Sequence, residues 1–554
     1  MKRITLFSLA SAVLLTLSAC SSDNTTQMES SSSQTVQTET EGLVSSADPS
    51  DMFTDNDLEI GYDEEHSAKI TLSGDSASSD SDAVQISGST VTITDEGTYI
   101  LSGTLHNGMI VVNAEDTDKV QLVLNGIDIT NSTSAAIYVP EADKVFITTV
   151  SGTENTLSNG GEYIAIDDNN IDAVIFSKSD LTLNGAGILA IHAAAGHGIV
   201  SKDDLALTSG TYDIAAASHG LSGKDSVRIS SGTYTITSGK DGIHAENADD
   251  ASKGFLYIAG GTFTITADDD GISSSAYLQI EDGSFTITTG EGSASAVMTT
   301  DTLDFGQRGK PQDQTTDAAT GDAAAEDAVT SRKGVKATGA IMIAGGTFVT
   351  DTTDDSIHSN SDILISNGVF ELKSGDDAIH ADDAVHLQNG DFTISYCYEG
   401  IEGLSVTIDN GTFDITSVDD GINAGGIDSS GFGGGRPDQN QFSGSSDNFV
   451  TINGGSFAIV STGDCIDSNG ALTINSGTLS LTCNGNGNTA LDCDGTYTNN
   501  GGDVTTNDGS ENNPGQMGGG RGGRGGPNGK RNPGNMGEQN QRKNPGEKGK
   551  NPSK

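Results

Sequence analysis

A glycine-led motif that returns about every 22 residues constrains this chain more than any other feature of its sequence. It reads Gly210-Thr211-Tyr212-Asp213-Ile214, then Gly232-Thr233-Tyr234-Thr235-Ile236, Gly261-Thr262-Phe263-Thr264-Ile265 and Gly283-Ser284-Phe285-Thr286-Ile287. It resumes at Gly346, Gly368, Gly390, Gly411, Gly455 and Gly477. A second apolar line keeps the same step through Ile199, Leu221, Ile243, Ile272, Ile357, Ile379, Ile401, Ile422 and Ile466. A third supplies Val227-Arg228-Ile229, Ile363-Leu364-Ile365 and Leu472-Thr473-Ile474. Apolar and polar residues alternate within each run, Gly, Asn and Asp separate the runs, and helical periodicity is absent. Three short strands per repeat, too small to bury anything alone, predict an all-β fold: a single-stranded right-handed parallel β-helix, a solenoid with about 22 residues per coil.

Composition agrees with a thin solenoid core: 73 glycines, no tryptophan and an apolar fraction of 33%. The layout predicted around it has a signal segment at 1–20, a disordered Ser/Thr-rich spacer at 21–57, the β-helix at 58–506 and a disordered basic Gly/Asn/Pro-rich tail at 507–554. Two stretches that leave the repeat, 301–332 and 425–447, read as loop insertions. The basic start Met1-Lys2-Arg3, the apolar run after it and Leu17-Ser18-Ala19-Cys20 have the form of a bacterial lipobox, with lipidation at Cys20. That predicts a chain anchored on the extracellular face of the cell membrane. A formal charge of −51 excludes nucleic acid as a partner of the body and favours divalent cations.

The chemistry-bearing pattern is an acidic corner just before the second strand line: Asp241, Asp269, Asp270, Asp354, Asp355, Asp376, Asp377, Asp419, Asp420 and Asp464. Stacked coils bring these carboxylates within a strand spacing of one another, where like charges repel. Calcium, which takes six to eight oxygen ligands, would neutralise them and bridge to an acidic sugar. Asp before Gly or Ala also makes Asx turns at corners, which is the competing account.

Directly after the second-line isoleucines come His244, His358 and His380, with Ser273, Glu402, Asn423 and Asp467 in the same slot, an outward row of sugar contacts or of solvated polar side chains. Tyr396 and Tyr398 interrupt the pattern around Cys397 and are further candidates for a sugar contact, although with 5% aromatic residues the chain has no broad aromatic platform. Lys240, Lys336, Lys373 and Arg228 are the only candidates for a base that removes a sugar proton, and none forms a catalytic signature. Cys465, Cys483 and Cys493 fit a disulfide or buried thiols equally well.

The stretch Gly97-Thr98-Tyr99-Ile100-Leu101-Ser102-Gly103-Thr104-Leu105 carries a resemblance, together with Val123-Leu124-Asn125-Gly126, Ala135-Ala136-Ile137-Tyr138, Gly152-Thr153-Glu154-Asn155, Ile175-Phe176-Ser177-Lys178, Lys202-Asp203-Asp204-Leu205 and Lys224-Asp225-Ser226-Val227. Over residues 97–493 the chain resembles bacterial carbohydrate-binding-domain-containing surface proteins, whose β-helix is similar to that of polysaccharide lyases. The resemblance implies binding of a polysaccharide (cellulose, pectin or a cell-wall glycan) with calcium and without established catalysis. A pectate-lyase-like uronate eliminase and a mechanical adhesin or biofilm stalk are the alternatives.

Overall fold

The computed structural model describes residues 47–296, 298, 330–425 and 448–514. Within them the chain winds into a parallel β-helix whose coils contribute one strand to each of three ladders. Sheet I holds the glycine-led strands, such as Thr211–Ala216, Thr233–Ser238, Thr262–Ala267, Ser284–Thr289 and Thr347–Thr352. Sheet II holds the second line, such as Ile243–Ala245 and Ile357–Ser359, and sheet III the third, such as Ser226–Ile229 and Ile363–Ile365. Register is one-to-one between most neighbouring coils, Tyr234 against Phe263 and Ile236 against Ile265, which is why the sequence repeats in columns; it shifts at four pairings, one of them beside Tyr396.

Inward columns make the core. In sheet I the rings of Tyr212, Tyr234, Phe263, Phe285, Phe348, Phe370, Phe392, Phe413 and Phe457 form one stack, with centroids 4.6–5.1 Å apart. Each ring is worth about 2–3 kcal/mol by burial, and each pair adds about 0.5–1.5 kcal/mol. The stack dictates the glycine before it. Gly283 has φ +145°, and a Cβ there would stand 2.7 Å from Cε2 of Phe285.

Both ends of the solenoid carry segments that take up some of the free backbone groups. At the N-terminal end the antiparallel pairs Ala68–Gly74 with Ala77–Ser79, and Val84–Ser87 with Thr90–Ile93, cover open strand edges. At the other end the side chains of residues 507–510 do so. Asn507 pairs with both backbone groups of Cys483 at 3.1 and 2.8 Å, Asp508 accepts from the Ala490 amide, and Ser510 accepts from that of Leu491. The fold therefore runs past 506, correcting the predicted start of the tail; residues 515–554 lie outside the described residues.

The predicted spacer is corrected as well. From Ala47 the chain forms a strap along the outer face of sheet III. Ala47 pairs with Gln279, the Met52 carbonyl accepts from Arg228 at 2.9 Å, and the Phe53 ring meets Tyr257. A capping box on Thr54 and Asp57 starts the short helix Asp55–Leu58. Asp57 is fully buried, 2.7 Å from the Lys144 ammonium and 2.6 Å from the Thr182 hydroxyl. Residues 1–46, including Cys20, and most of both predicted insertions lie outside the described residues.

Cys397, Cys465, Cys483 and Cys493 are free, buried thiols that fill inward positions.

Candidate functional site: the polar corner between sheets I and II

Each coil turns from sheet I into sheet II through two corner residues. The inner one lies just before the small residue that opens the second strand. Coil after coil this row runs His197, His219, Asp241, Asp270, Lys333, Asp355, Asp377, Glu399, Asp420 and Asp464. The turn leaves an amide at the inner corner, and where the preceding coil's inner residue is aspartate its side chain accepts that hydrogen; after Lys333, which has no acceptor, the Asp355 amide turns to Asp354 instead. Asp241 accepts from the Asp270 amide at 3.0 Å, Asp270 from Lys333 at 2.8 Å, Asp355 from Asp377 at 2.9 Å, Asp377 from Glu399 at 3.1 Å and Asp420 from Asp464 at 2.6 Å. One oxygen of each inner aspartate is thus committed to the backbone, the role that Asp at a turn predicts.

The second oxygen faces the slot three residues on. It meets His244 Nδ1 at 2.6 Å from Asp241, Lys336 Nζ at 3.0 Å from Asp270, His358 Nδ1 at 2.7 Å from Asp355 and His380 Nδ1 at 2.9 Å from Asp377. The predicted histidine row is therefore the basic half of a paired ladder. His358, expected on a solvated face, is only 9% exposed and lies beneath that pairing. Burial by itself would push the His380 imidazole down, but hydrogen bonds to Asp377 and Glu402 carry it up to about 11, so it stays charged.

Of the outer corner aspartates, Asp354 is held by Lys333, whose Nζ lies 2.9 Å from Asp354 and 2.6 Å from Asp355. Burial would raise the Asp355 carboxyl; hydrogen bonding by His358 and the charge of Lys333 hold it well below the usual range. Asp376, exposed beside this cluster, is pushed up to about 6 by desolvation and by the charges of Asp355 and Asp354. Asp269 lies over Asp241 and Asp270 and is raised by burial and their charge. Tyr398 occupies the outer corner between the coils of Asp376 and Asp419, its amide donating to the Asp376 carbonyl. Tyr396 is 37% exposed at the end of Asp391–Tyr396, beside a register shift in sheet I.

Beyond Glu399 the character of the corner changes. Asp464, Asp467 and Asp492 each offer an oxygen within 4.8 Å of the others, and Asp419, Asp420 and Asp494 add their charge to the group. Among the described residues none of these six carboxylates has a basic partner. Burial and like charge push Asp464 and Asp467 each up to about 7. Asn423, in register with Asp467, aligns an amide Oδ1 that is buried and receives no hydrogen bond. Sequence reasoning set Asp467 in the polar slot but missed Asp492, because Leu491 stands 14 residues after its motif glycine Gly477, where Ile466 stands 11 after Gly455, and joins sheet II only through the Ile466–Leu491 bridge. Four bases considered from sequence divide likewise: Lys336 and Arg228 are spent on Asp270 and Asp204, whereas Lys240 and Lys373 stand exposed.

This chain matches the carbohydrate-binding domain-containing protein family over residues 87–378 and 376–515. A carbohydrate-binding domain-containing protein of Acetivibrio thermocellus is 38% identical over 150 residues, 26% of this chain and 52% of that relative, so the match spans about half the relative's length. A solved structure of a polysaccharide lyase-like protein from C. thermocellum, a gadolinium derivative, is 38% identical and covers 40% of this chain and 92% of its own, with a TM-score of 0.40. With the family matched across nearly all of the β-helix, this chain belongs to the carbohydrate-binding domain-containing proteins.

Proposed function

We propose that this protein is a calcium-assisted, non-catalytic polysaccharide-binding lipoprotein, held through Cys20 at the extracellular face of the cell membrane. The observation that carries the calcium reading is the Asp464, Asp467 and Asp492 trio, hard oxygen donors converging without a resident cation among the described residues. The donor set suits calcium, which prefers carboxylate and amide oxygens, and Asn423 Oδ1 is a fourth candidate ligand. Asp241, Asp270, Asp354, Asp355 and Asp377 suit calcium less well, since Lys333, Lys336, His244, His358 and His380 already pair with them, whereas Asp419 and Asp420 stand beside the trio without a basic partner among the described residues. A bound calcium at the trio has coordination capacity left for a uronate carboxylate, which makes pectin the polymer most suited to this corner.

The test is retention of the full chain on pectin, cellulose and bacterial wall polymer, with calcium and with chelator. Retention on pectin in calcium, released by chelator, is the expected result. Pectin held equally in both conditions would remove calcium from the reading, and retention on no polymer would remove the binding role. An ultraviolet-absorbing unsaturated product from polygalacturonate would replace it with an eliminase.

A further inference from the structure

The outward face of sheet I carries a second, different surface. In the three consecutive strands Thr233–Ser238, Thr262–Ala267 and Ser284–Thr289, every outward position is threonine except Ser284. Strict register aligns them into three columns, Thr235 over Thr264 over Thr286 forming the central one, with no bulge between coils. All but Thr288 are exposed. The coil rise beneath this face is the 4.8 Å between the Phe263 and Phe285 rings, and neighbouring columns stand about 7 Å apart along the strand. The result is a flat, regular array of hydroxyl and methyl groups.

The β-propensity of threonine accounts for each residue singly but not for the array as a whole. The same columns carry Asp213 in the coil before it and, in the coils after it, Asp351, Glu371, Lys373 and Asp391. On a chain of formal charge −51, three successive coils without a charge on this face are a local exception. Desolvating a hydroxyl that regains a hydrogen bond costs far less than desolvating an unpaired carboxylate or ammonium. β-Branched threonines also have little rotamer freedom to lose on binding.

We infer that this array is a docking face for a neutral, flat-faced polysaccharide in its extended β-linked form, whose equatorial hydroxyls and ring C–H groups match hydroxyls and methyls in kind. Charge selects the occupant: a polyanionic glycan is repelled by the surrounding carboxylates, and the array has no group to pair with a cationic one. The inference rests on the carbohydrate-binding role but not on calcium, since the trio lies on coils beyond Glu399.

The experiment is a pull-down of the full chain on microcrystalline cellulose and on insoluble chitin, both in chelator. Retention on at least one of them is expected, and Thr264→Glu at the centre of the array should lower it about tenfold with thermal stability unchanged. Thr264→Val keeps shape and methyl while deleting one hydroxyl. It should lower retention about two- to threefold, and it serves as the test if the Glu variant fails to fold. Retention unaltered by either variant would overturn the inference while leaving glycan binding intact. Failure of the wild-type chain to bind either neutral polymer, with pectin still held in calcium, would overturn it and leave the calcium reading standing. Thermal hysteresis of freezing without glycan retention would overturn it in favour of ordered water as the occupant.

Discussion

The two halves of the corner between sheets I and II solve one electrostatic problem in different ways. From Asp241 to Asp377 each inner carboxylate has a basic partner supplied by the chain itself: His244, Lys336, Lys333 with His358, and His380. From Asp420 to Asp492 the same positions stack carboxylates alone among the described residues. The backbone geometry is shared, since Asp355 and Asp420 each cap the amide of the next coil's corner residue. A repeat can therefore hold its fold constant while choosing, coil by coil, whether neutralisation comes from within or from solution.

The sharpest way to break the contrast is to make the first half resemble the second. Replacing Lys333 with alanine strands Asp354 and leaves His358 as the one basic partner of the buried Asp355, at a cost of about 3 kcal/mol. Urea unfolding should register that loss, and added calcium should restore part of it, whereas the parent chain's first half should ignore calcium.

A smaller effect comes from pH. Asp464 and Asp467 are raised from 3.8 to about 7, so the folded state holds more protons than the unfolded one between those values. Their contribution is present below pH ~3.8 and lost as pH rises through about 7, the reverse of an ordinary paired carboxylate. In chelator, unfolding free energy should fall by on the order of 3 kcal/mol from pH 4 to pH 8. Saturating calcium should flatten the curve; a flat curve in chelator would show that the trio has a cation already.

The smallest effect separates the halves by substitution. Asp464→Asn with Asp467→Asn should abolish the calcium-induced rise in melting temperature and raise stability in chelator by about 1–2 kcal/mol. Asp376→Asn with Asp377→Asn should cost about 1–3 kcal/mol through the lost His380 pair yet leave calcium affinity unchanged, read by titration calorimetry.

Sequence made the columns legible because the register is one-to-one between most neighbouring coils: the glycine-led strands, the isoleucine line and the paired aspartates each fall where the repeat places them. It could not show what occupies the space between columns. Lys333 takes an inner corner position directly after a long insertion, so the spacing hides its kinship with Asp270 and Asp355, and only stacking reveals the cation between two acids. The strap was hidden by its polar composition. Thr54 and Asp57 are the capping-box signal that marked its short helix, and Met52 and Phe53 are its apolar anchors.

That strap also has a place in time. Ala47 leaves the ribosome early, yet its partner Gln279 follows 232 residues later, and Met52 waits for Arg228. Coils can zip onto one another as soon as neighbours exist, but the strap closes only over a face that five or more later coils have built. The first-made segment of the ordered body thus docks only after the coils as far as Gln279 have formed, and its docking reports that the coils beneath it are complete.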